Sequence, residues 1–391
     1  MSIQPPDAKT AVVMAGVPSV NRSLFHAIRF GVGDPAALVV SRRGDAPHRL
    51  LILRDIEMGR AREQAAVDEV ACPADFAPTS GGEQGLSGDR ETATAQATAE
   101  AVVRAECHRV IADRTLPLIF ADHLRQRGIA IEYDPDLGVA DRRAKDEREI
   151  EHLREAQAAT ERAMRLACEL VAHATPDAQG ILQHEGDPLT AERVRYAVDV
   201  QLLGEGYVNP RSIVAPGPQA ADCHAIGTGA IGTGEPVIID IFPQNRQSKY
   251  NGDCTRTVVH GDIPDAVTAM HRAVVDAKAA ATAAVRPGVT GEQVHQATIT
   301  SIERHGYAMG FPTDDHPTTM THGTGHGIGL DVHEPPLLDI NGPPLIEGDA
   351  LTIEPAVYNP TLGGVRVEDM VIVTAAGCEN LNALPQGLSW D

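Results

Sequence analysis

Residues 237–258 read VIIDIFPQNRQSKYNGDCTRTV, and residues 351–373 read LTIEPAVYNPTLGGVRVEDMVIV. Each stretch holds two apolar, β-prone runs separated by a polar turn, the pattern of a β-hairpin. In the first, Asp240 ends one run and Asp253 opens the next. In the second, Glu354 ends a run and Glu368 lies on its successor. The separations are nearly equal, 13 and 14 residues. Two hairpins that each offer one carboxylate per leg can face one another, and four acids then meet in one pocket.

A buried carboxylate is costly unless paired, and four together repel strongly. Either some are protonated or cations hold them. Oxygen-rich sites suit hard or borderline divalent ions. Four carboxylates with one nitrogen match a two-metal arrangement for hydrolysis. The stretch HGTGHGIGLDVHEPP, residues 322–336, offers that nitrogen from His322, His326 or His333. Its glycines let backbone approach closely. The run lacks G-K-[ST] and a following helical pattern, so it does not read as a phosphate loop, and no H-E-x-x-H is present. His224, in ADCHAIGTG, is a further candidate sixteen residues before Asp240. His260, His271, His295, His305 and His316 read as structural.

Charge narrows the class. The 391 residues carry 33 Lys and Arg against 54 Asp and Glu, a net of −21. A general nucleic-acid binder needs a basic face to displace counterions, so that class is excluded. An anionic membrane surface is disfavoured for the same reason. Residues 1–145 hold 18 basic and 20 acidic side chains; residues 146–391 hold 15 and 34. Most of the excess reads as solvated surface that aids solubility. No stretch approaches the ~18 apolar residues of a membrane span, and the first 30 residues do not form a signal peptide. The six cysteines form no C-x-x-C, which fits reduced thiols in a cytoplasmic protein.

The chain reads as two parts. Up to residue 145, strand patterns at Ala36–Val40, Leu50–Leu53, Arg109–Ala112 and Ile129–Tyr133 alternate with helical ones at Thr92–Cys107 and Pro117–Arg127. A polar loop is expected at 77–90. This is an α/β layer pattern with no catalytic constellation. From residue 146, helices are expected at Asp146–His173, Thr190–Leu203, Pro264–Val285 and Gly291–His305. Strands are expected at Pro236–Ile241, Cys254–Val259, Ala350–Glu354 and Val365–Val373, giving an α+β domain.

The blocks VIIDIFP…GDCTRTV, HGTGHGIGLDVHEPP, LTIEPAVY and GVRVEDMVIV resemble the pita-bread metallopeptidases, the family of creatinase, aminopeptidase P, prolidase and methionine aminopeptidase. The resemblance covers residues 146–380, and DVHEPP looks most like the proline-specific branch. It implies an α+β pita-bread catalytic domain over 146–391 with pseudo-twofold hairpins, behind a creatinase/prolidase-like α/β accessory domain over 1–145. It implies that Asp240 chelates one of two divalent ions, that Asp253 and Glu368 bridge both, and that His326 and Glu354 hold the other. Manganese leads as the ion, with zinc, cobalt or iron as alternatives. A hydroxide bridging the metals then attacks the scissile carbonyl, with Glu354 as general base. His333 and His224 match histidines that contact the scissile amide and the tetrahedral intermediate. His322 matches a substrate-pocket histidine, and Arg366 an arginine lying behind the ligands in the substrate pocket.

The implied activity is metal-dependent release of the first residue from short Xaa-Pro peptides by a cytoplasmic homodimer. Asp240-Ile241-Phe242-Pro243 departs from the family, where a glycine follows the first Asp within two residues, and Ala356 stands where TIEPG is common. The altered Asp240 loop keeps a small non-peptide substrate in play, and a methionine aminopeptidase and a peptide-binding module without catalysis stand as further alternatives.

Overall fold

The computed structural model describes residues 3–78 and 85–390. Of the loop expected at 77–90, residues 79–84 lie outside the described residues. The chain divides into two compact units, Met1–Arg142 and Arg143–Asp391.

The first unit is a mixed six-stranded sheet. Its strands are β1 (Thr10–Gly16), β2 (Ala36–Arg43), β3 (Ala46–Ile52), β4 (Glu69–Ala71), β5 (Arg109–Ala112) and β6 (Ala130–Tyr133), in the order β4-β3-β2-β1-β5-β6. β1 pairs antiparallel with β2 and parallel with β5. Helices α1 (Arg22–Ile28) and α2 (Met58–Gln64) cover one face, and α3 (Arg90–Arg104) and α4 (Leu118–Gln126) the other. Period-two alternation decides which residue meets which layer. Ala11, Val13 and Ala15 pack toward α3 and α4, while Val12 and Met14 pack toward α1 and α2. β1 is therefore buried throughout and was not among the strands expected from sequence. A short helix, α5 (Val139–Arg143), ends this stretch.

In the second unit α6 (Glu147–Ala172) begins with a capping box. Asp146 accepts the Glu149 N–H at 2.9 Å, and Glu149 accepts the Asp146 N–H at 3.0 Å. A ribbon of β7 (Thr175–Pro176), β8 (Leu182–His184) and β9 (Asp187–Pro188) leads to α7 (Ala191–Gly204). After β10 (Tyr207–Val208) comes the first hairpin sheet, β11 (Ile213–Pro216), β12 (Pro236–Ile241) and β14 (Cys254–Val259), in the order β11-β12-β14. β13 (Gln244–Asn245), inside the hairpin connection, pairs with β10. Helices α6 and α7 bury Met164, Val171, Val194 and Val198 with Val237, Ile239 and Val258 of this sheet.

Helices α8 (Asp265–Ala284) and α9 (Gly291–Arg304) precede the second hairpin. Pro264 is the N-cap of α8 rather than its first residue. Short strands β15 (Ala308–Met309), β16 (Thr319–Met320), β17 (Gly325–Gly327) and β18 (Glu334–Leu338) follow. Then come β19 (Ala350–Ile353), β20 (Ala356–Asn359), β21 (Gly363–Arg366), β22 (Asp369–Thr374) and β23 (Gly377–Asn380). The single strand expected at Val365–Val373 is thus two strands. β20 pairs with β21 in the sheet β15-β16-β20-β21, and β19 pairs with β22 in the sheet β18-β17-β19-β22-β23. The register does not slip between them: Ala356 faces Arg366 and Ile353 faces Asp369. One long hairpin changes sheets where Pro355, which lacks an N–H, interrupts the ladder. α8 packs Val274 and Ala277 against Val357, Val365 and Val367 of this hairpin. Among the described residues no helix is long and apolar enough to cross a membrane, and the six cysteines are all unpaired.

Candidate metal centre

The two hairpins present their acids differently. In the first, Asp240 faces Thr255, so Asp253 sits diagonally from it, one residue outside the ladder. In the second, the register carried one step past Ile353–Asp369 sets Glu354 against Glu368. The hairpins are stitched together. Glu368 N–H donates to Thr255 O at 3.1 Å, and the Thr255 hydroxyl donates to Glu368 Oε2 at 2.8 Å. Arg366 N–H donates to Thr257 Oγ1, whose hydroxyl donates back to Arg366 O.

Asp253 is fixed from behind by Gln157 of α6, whose side chain accepts its N–H at 2.9 Å and donates to its carbonyl at 2.7 Å. Gly252 makes this approach feasible, since a Cβ there would lie 2.1 Å from Thr160 Oγ1 and 2.7 Å from Ala156 O. His326 comes from β17, where a Cβ on Gly325 would lie 2.0 Å from Thr352 O. Asp253, His326 and Glu368 bring ligand atoms within 4.8 Å of one another. His326 Nε2 is 3.8 Å from Asp253 Oδ2 and 3.5 Å from Glu354 Oε1. His326 Nδ1 lies 3.1 Å from Gly327 O, which can only accept. The proton is therefore on Nδ1, and the Nε2 lone pair faces the acids.

Burial pushes the carboxyls of Asp253 and Glu368 well above their usual range, and the neighbouring acids push them further. Glu354 is raised to about 7, first by burial. Asp240 is raised by burial too, against the pull of Arg366. Burial, aided by His333, lowers His326 to about 3, so its ring is neutral. Asp240 Oδ1 is buried with no hydrogen-bond partner among the described residues. An orphaned acid oxygen, a neutral imidazole nitrogen and three further clustered carboxylates are the donor set that divalent ions complete. The residues fit such ions.

The pocket over these acids has a volume of about 410 Å³ and is also lined by His224, His322, His333 and Arg366. Thus all nine side chains singled out from the sequence line one pocket. The His333 ring stands edge-on to His326, centroids 4.3 Å apart. Desolvation lowers the His333 pKa, with His224 adding to this and Asp240 opposing it. His322 is more constrained. Its Nδ1 donates to Gly323 O at 2.8 Å, so Nε2 accepts from the Tyr358 hydroxyl at 2.8 Å. Burial holds its pKa down at about 4. Both nitrogens are committed within the protein, leaving the ring to shape the wall. Arg366 donates to Asp240 Oδ2 at 2.7 Å, to Tyr358 Oη at 3.0 Å, to Thr255 Oγ1 at 3.2 Å and to Cys223 O at 3.3 Å.

Sequence reasoning did not single out Gln157, Thr255 or Tyr358. Tyr358 stood inside a quoted motif, and a lone tyrosine in a hairpin reads as core. Nor did it find the buried network behind the site. Arg256, fully buried, donates to Glu368 O and to Asp369 Oδ1, and Lys278 pairs with the same Asp369.

This topology and donor set suit a metal-dependent hydrolase, and the comparisons name the family. Residues 151–375 match metallopeptidase family M24, and the chain belongs to that family. It is 34% identical over 172 residues to the Xaa-Pro dipeptidase of Pyrococcus furiosus, covering 44% of this chain and 46% of the relative. The chain spans about half the length of the first curated relatives it matches. The prolidase structure from Pyrococcus horikoshii OT3 superposes with a TM-score of 0.75 at 21% identity, over 97% of this chain and 96% of that one. The X-Pro aminopeptidase structure from Thermotoga maritima MSB8 gives a TM-score of 0.77 at 23% identity, over 97% of each chain. The fold is the pita-bread fold behind an α/β unit, as the motifs implied.

Proposed function

We propose that the protein is a metal-dependent peptidase that cleaves the N-terminal bond of short Xaa-Pro peptides. The observation that carries this is the convergence of Asp240, Asp253, His326, Glu354 and Glu368 at the floor of one pocket with His224 and His333 on its wall. The five floor residues would hold two divalent ions, with manganese the first to try. When bound, such ions supply Lewis acidity, polarising the scissile carbonyl and lowering the pKa of water.

The protein's own groups do the rest. Glu354 accepts the proton released by the attacking water and passes it toward the leaving nitrogen. His333 and His224, on the pocket wall, donate hydrogen bonds to the developing oxyanion and the scissile amide. Arg366 keeps Asp240 aimed by holding Oδ2 and leaving Oδ1 free. A Xaa-Pro amide has no N–H, so selectivity for it rests on shape and on the histidines rather than on an amide hydrogen bond. The family relationship and the named dipeptidase and prolidase relatives support this reading. The unit Met1–Arg142 is proposed as an accessory domain, and the working assembly as a cytoplasmic homodimer.

The test is turnover of a panel of dipeptides and longer Xaa-Pro peptides after loading with Mn²⁺, Zn²⁺ or Co²⁺. Failure to release a first residue from any of them defeats the proposal. His333→Ala is expected to retain metal by elemental analysis while losing about 10²–10⁴-fold in rate. A metal-free His333→Ala protein would contradict the role given to this residue.

A further inference from the structure

A recess of about 430 Å³ lies within the first unit, where β2 and β3 meet the end of α3. Its floor follows from register. β2 and β3 pair with Val39 opposite Leu50 and Ser41 opposite His48. Residues two apart share a strand face, and Val39 and Leu50 pack toward α3 and α4. Ser41 and His48 continue that face beyond the core, into the recess. On the helix side Ala101 and Ala105 are too short to fill the space. Ser41 is 8% exposed, and its hydroxyl has no hydrogen-bond partner among the described residues.

Among the described residues, four cationic side chains other than histidine line the recess, Lys9, Arg42, Arg43 and Arg104, against one acid, Glu106. The chain as a whole carries a net charge of −21, so a concave surface with this excess of cations stands apart from it. Arg104 is committed. It donates to Glu100, Asp75 O and Ala77 O, and its guanidinium lies 5.1 Å from the centre of the Phe76 ring, which closes one wall. Arg43 and Lys9 are only partly spent, with one N–H of Arg43 on Glu69 at 2.7 Å and one of Lys9 on Glu106 at 3.0 Å. Exposed ion pairs of this kind are weak, so an incoming anion can share their cations. A tetrahedral oxyanion can accept from the Ser41 hydroxyl and take charge-assisted bonds from Arg43 and Lys9. The volume lies in the range of small-molecule sites, well beyond what a lone oxyanion fills, and Val39, Leu50 and Phe76 offer apolar surface for the remainder. We propose that this recess binds a small phosphate monoester with an apolar body, at a site to which no residue of the metal centre contributes.

The experiment titrates phenyl phosphate, methyl phosphate and phenol into the full-length, metal-loaded protein by isothermal calorimetry, using wild type, Arg43→Gln and Ser41→Ala. Wild type is expected to bind phenyl phosphate more tightly than methyl phosphate, which lacks the apolar body, and more tightly than phenol, which lacks the charge. Arg43→Gln should weaken phenyl phosphate about 10- to 100-fold, as for a charge-assisted hydrogen bond, and Ser41→Ala about 3- to 10-fold. Without ligand, both variants should unfold thermally as wild type does, because Arg43 gives up only an exposed ion pair and Ser41 a hydroxyl with no partner. The comparison with the variants assigns the heat, since an ester held at the metal centre is untouched by either substitution. Equal affinity for phenyl phosphate in all three proteins, or none in wild type, overturns the site. Phenol or methyl phosphate bound by wild type as tightly as phenyl phosphate overturns the ligand class.

Discussion

Glu368 and Asp369 are neighbours in the chain, both buried, and opposite in electrostatic fate. Asp369 meets Arg256 and Lys278, and Asn380 donates to it at 2.9 Å. Burial pushes its carboxyl up, but the two cations outweigh that and hold it below its usual range. Burial drives the Glu368 carboxyl well above its usual range, and Glu354 and Asp240 push it further, with Asp253 close beside it. Adjacent residues on extended chain face opposite sides. One side of this segment is therefore neutralised from within the protein, and the other requires cations from solution. The difference teaches that burial alone does not mark a functional acid. What marks Glu368 is burial beside further acids with no cation paired to its own carboxylate among the described residues.

The comparison can be broken most decisively at Glu368. Glu368→Ala is expected to lose bound metal and to cut turnover by more than about 10⁴-fold, set against enzymatic accelerations that typically begin near 10⁶. Elemental analysis with steady-state kinetics checks this, and retained metal with retained rate would sink the ligand assignment. Asp369→Asn should instead act on the fold. Leaving Arg256 and Lys278 without their acid costs about 3–5 kcal/mol, as for other broken buried pairs. Denaturant unfolding should show that loss with or without metal.

The smallest effect sharpens the contrast furthest. In chelator-treated protein the Glu354 carboxyl at about 7 binds a proton that the unfolded chain has released by then. The native state holds more protons than the unfolded one between about pH 4.5 and 7, so stability should fall as pH rises through that window, by up to about 1.4 kcal/mol per unit for each such group. With metal present the trend should reverse, because ions compete with protons for the same oxygens. Glu368→Gln should raise the stability of the chelated protein near neutral pH by about 1–2 kcal/mol, because the native state no longer has to take up a proton at this position. A metal-free protein that grows more stable from pH 5 to 8 would contradict the crowding of acids described above.

Much of this was legible beforehand because the signals are local. The helices at 146–173 and 291–305 follow from caps and periodicity, and the paired acids follow from hairpin spacing. β1 escaped because both of its faces are covered, so it has no alternation to detect. The strand at 365–373 was read as one because its apolar pattern is unbroken; the division arises from the partner strand, where Pro355 removes a ladder bond. Arg256 and Lys278 escaped because charged residues default to the surface, and their burial depends on an acid 113 and 91 residues away. The acidity of the second part is in the main a surface property, as its composition implied.

The sheet-changing hairpin has a mechanical corollary. Glu354 and Glu368 sit at the seam where its two halves leave one sheet for another, and ions held there would act as a rivet across that seam. Metal loading should then slow amide exchange at Glu354 and Glu368, whose N–H groups donate to Thr324 O and Thr255 O, more than at Tyr358 or Ile372 inside the two sheets. The catalytic centre and the joint of the scaffold would be one structure.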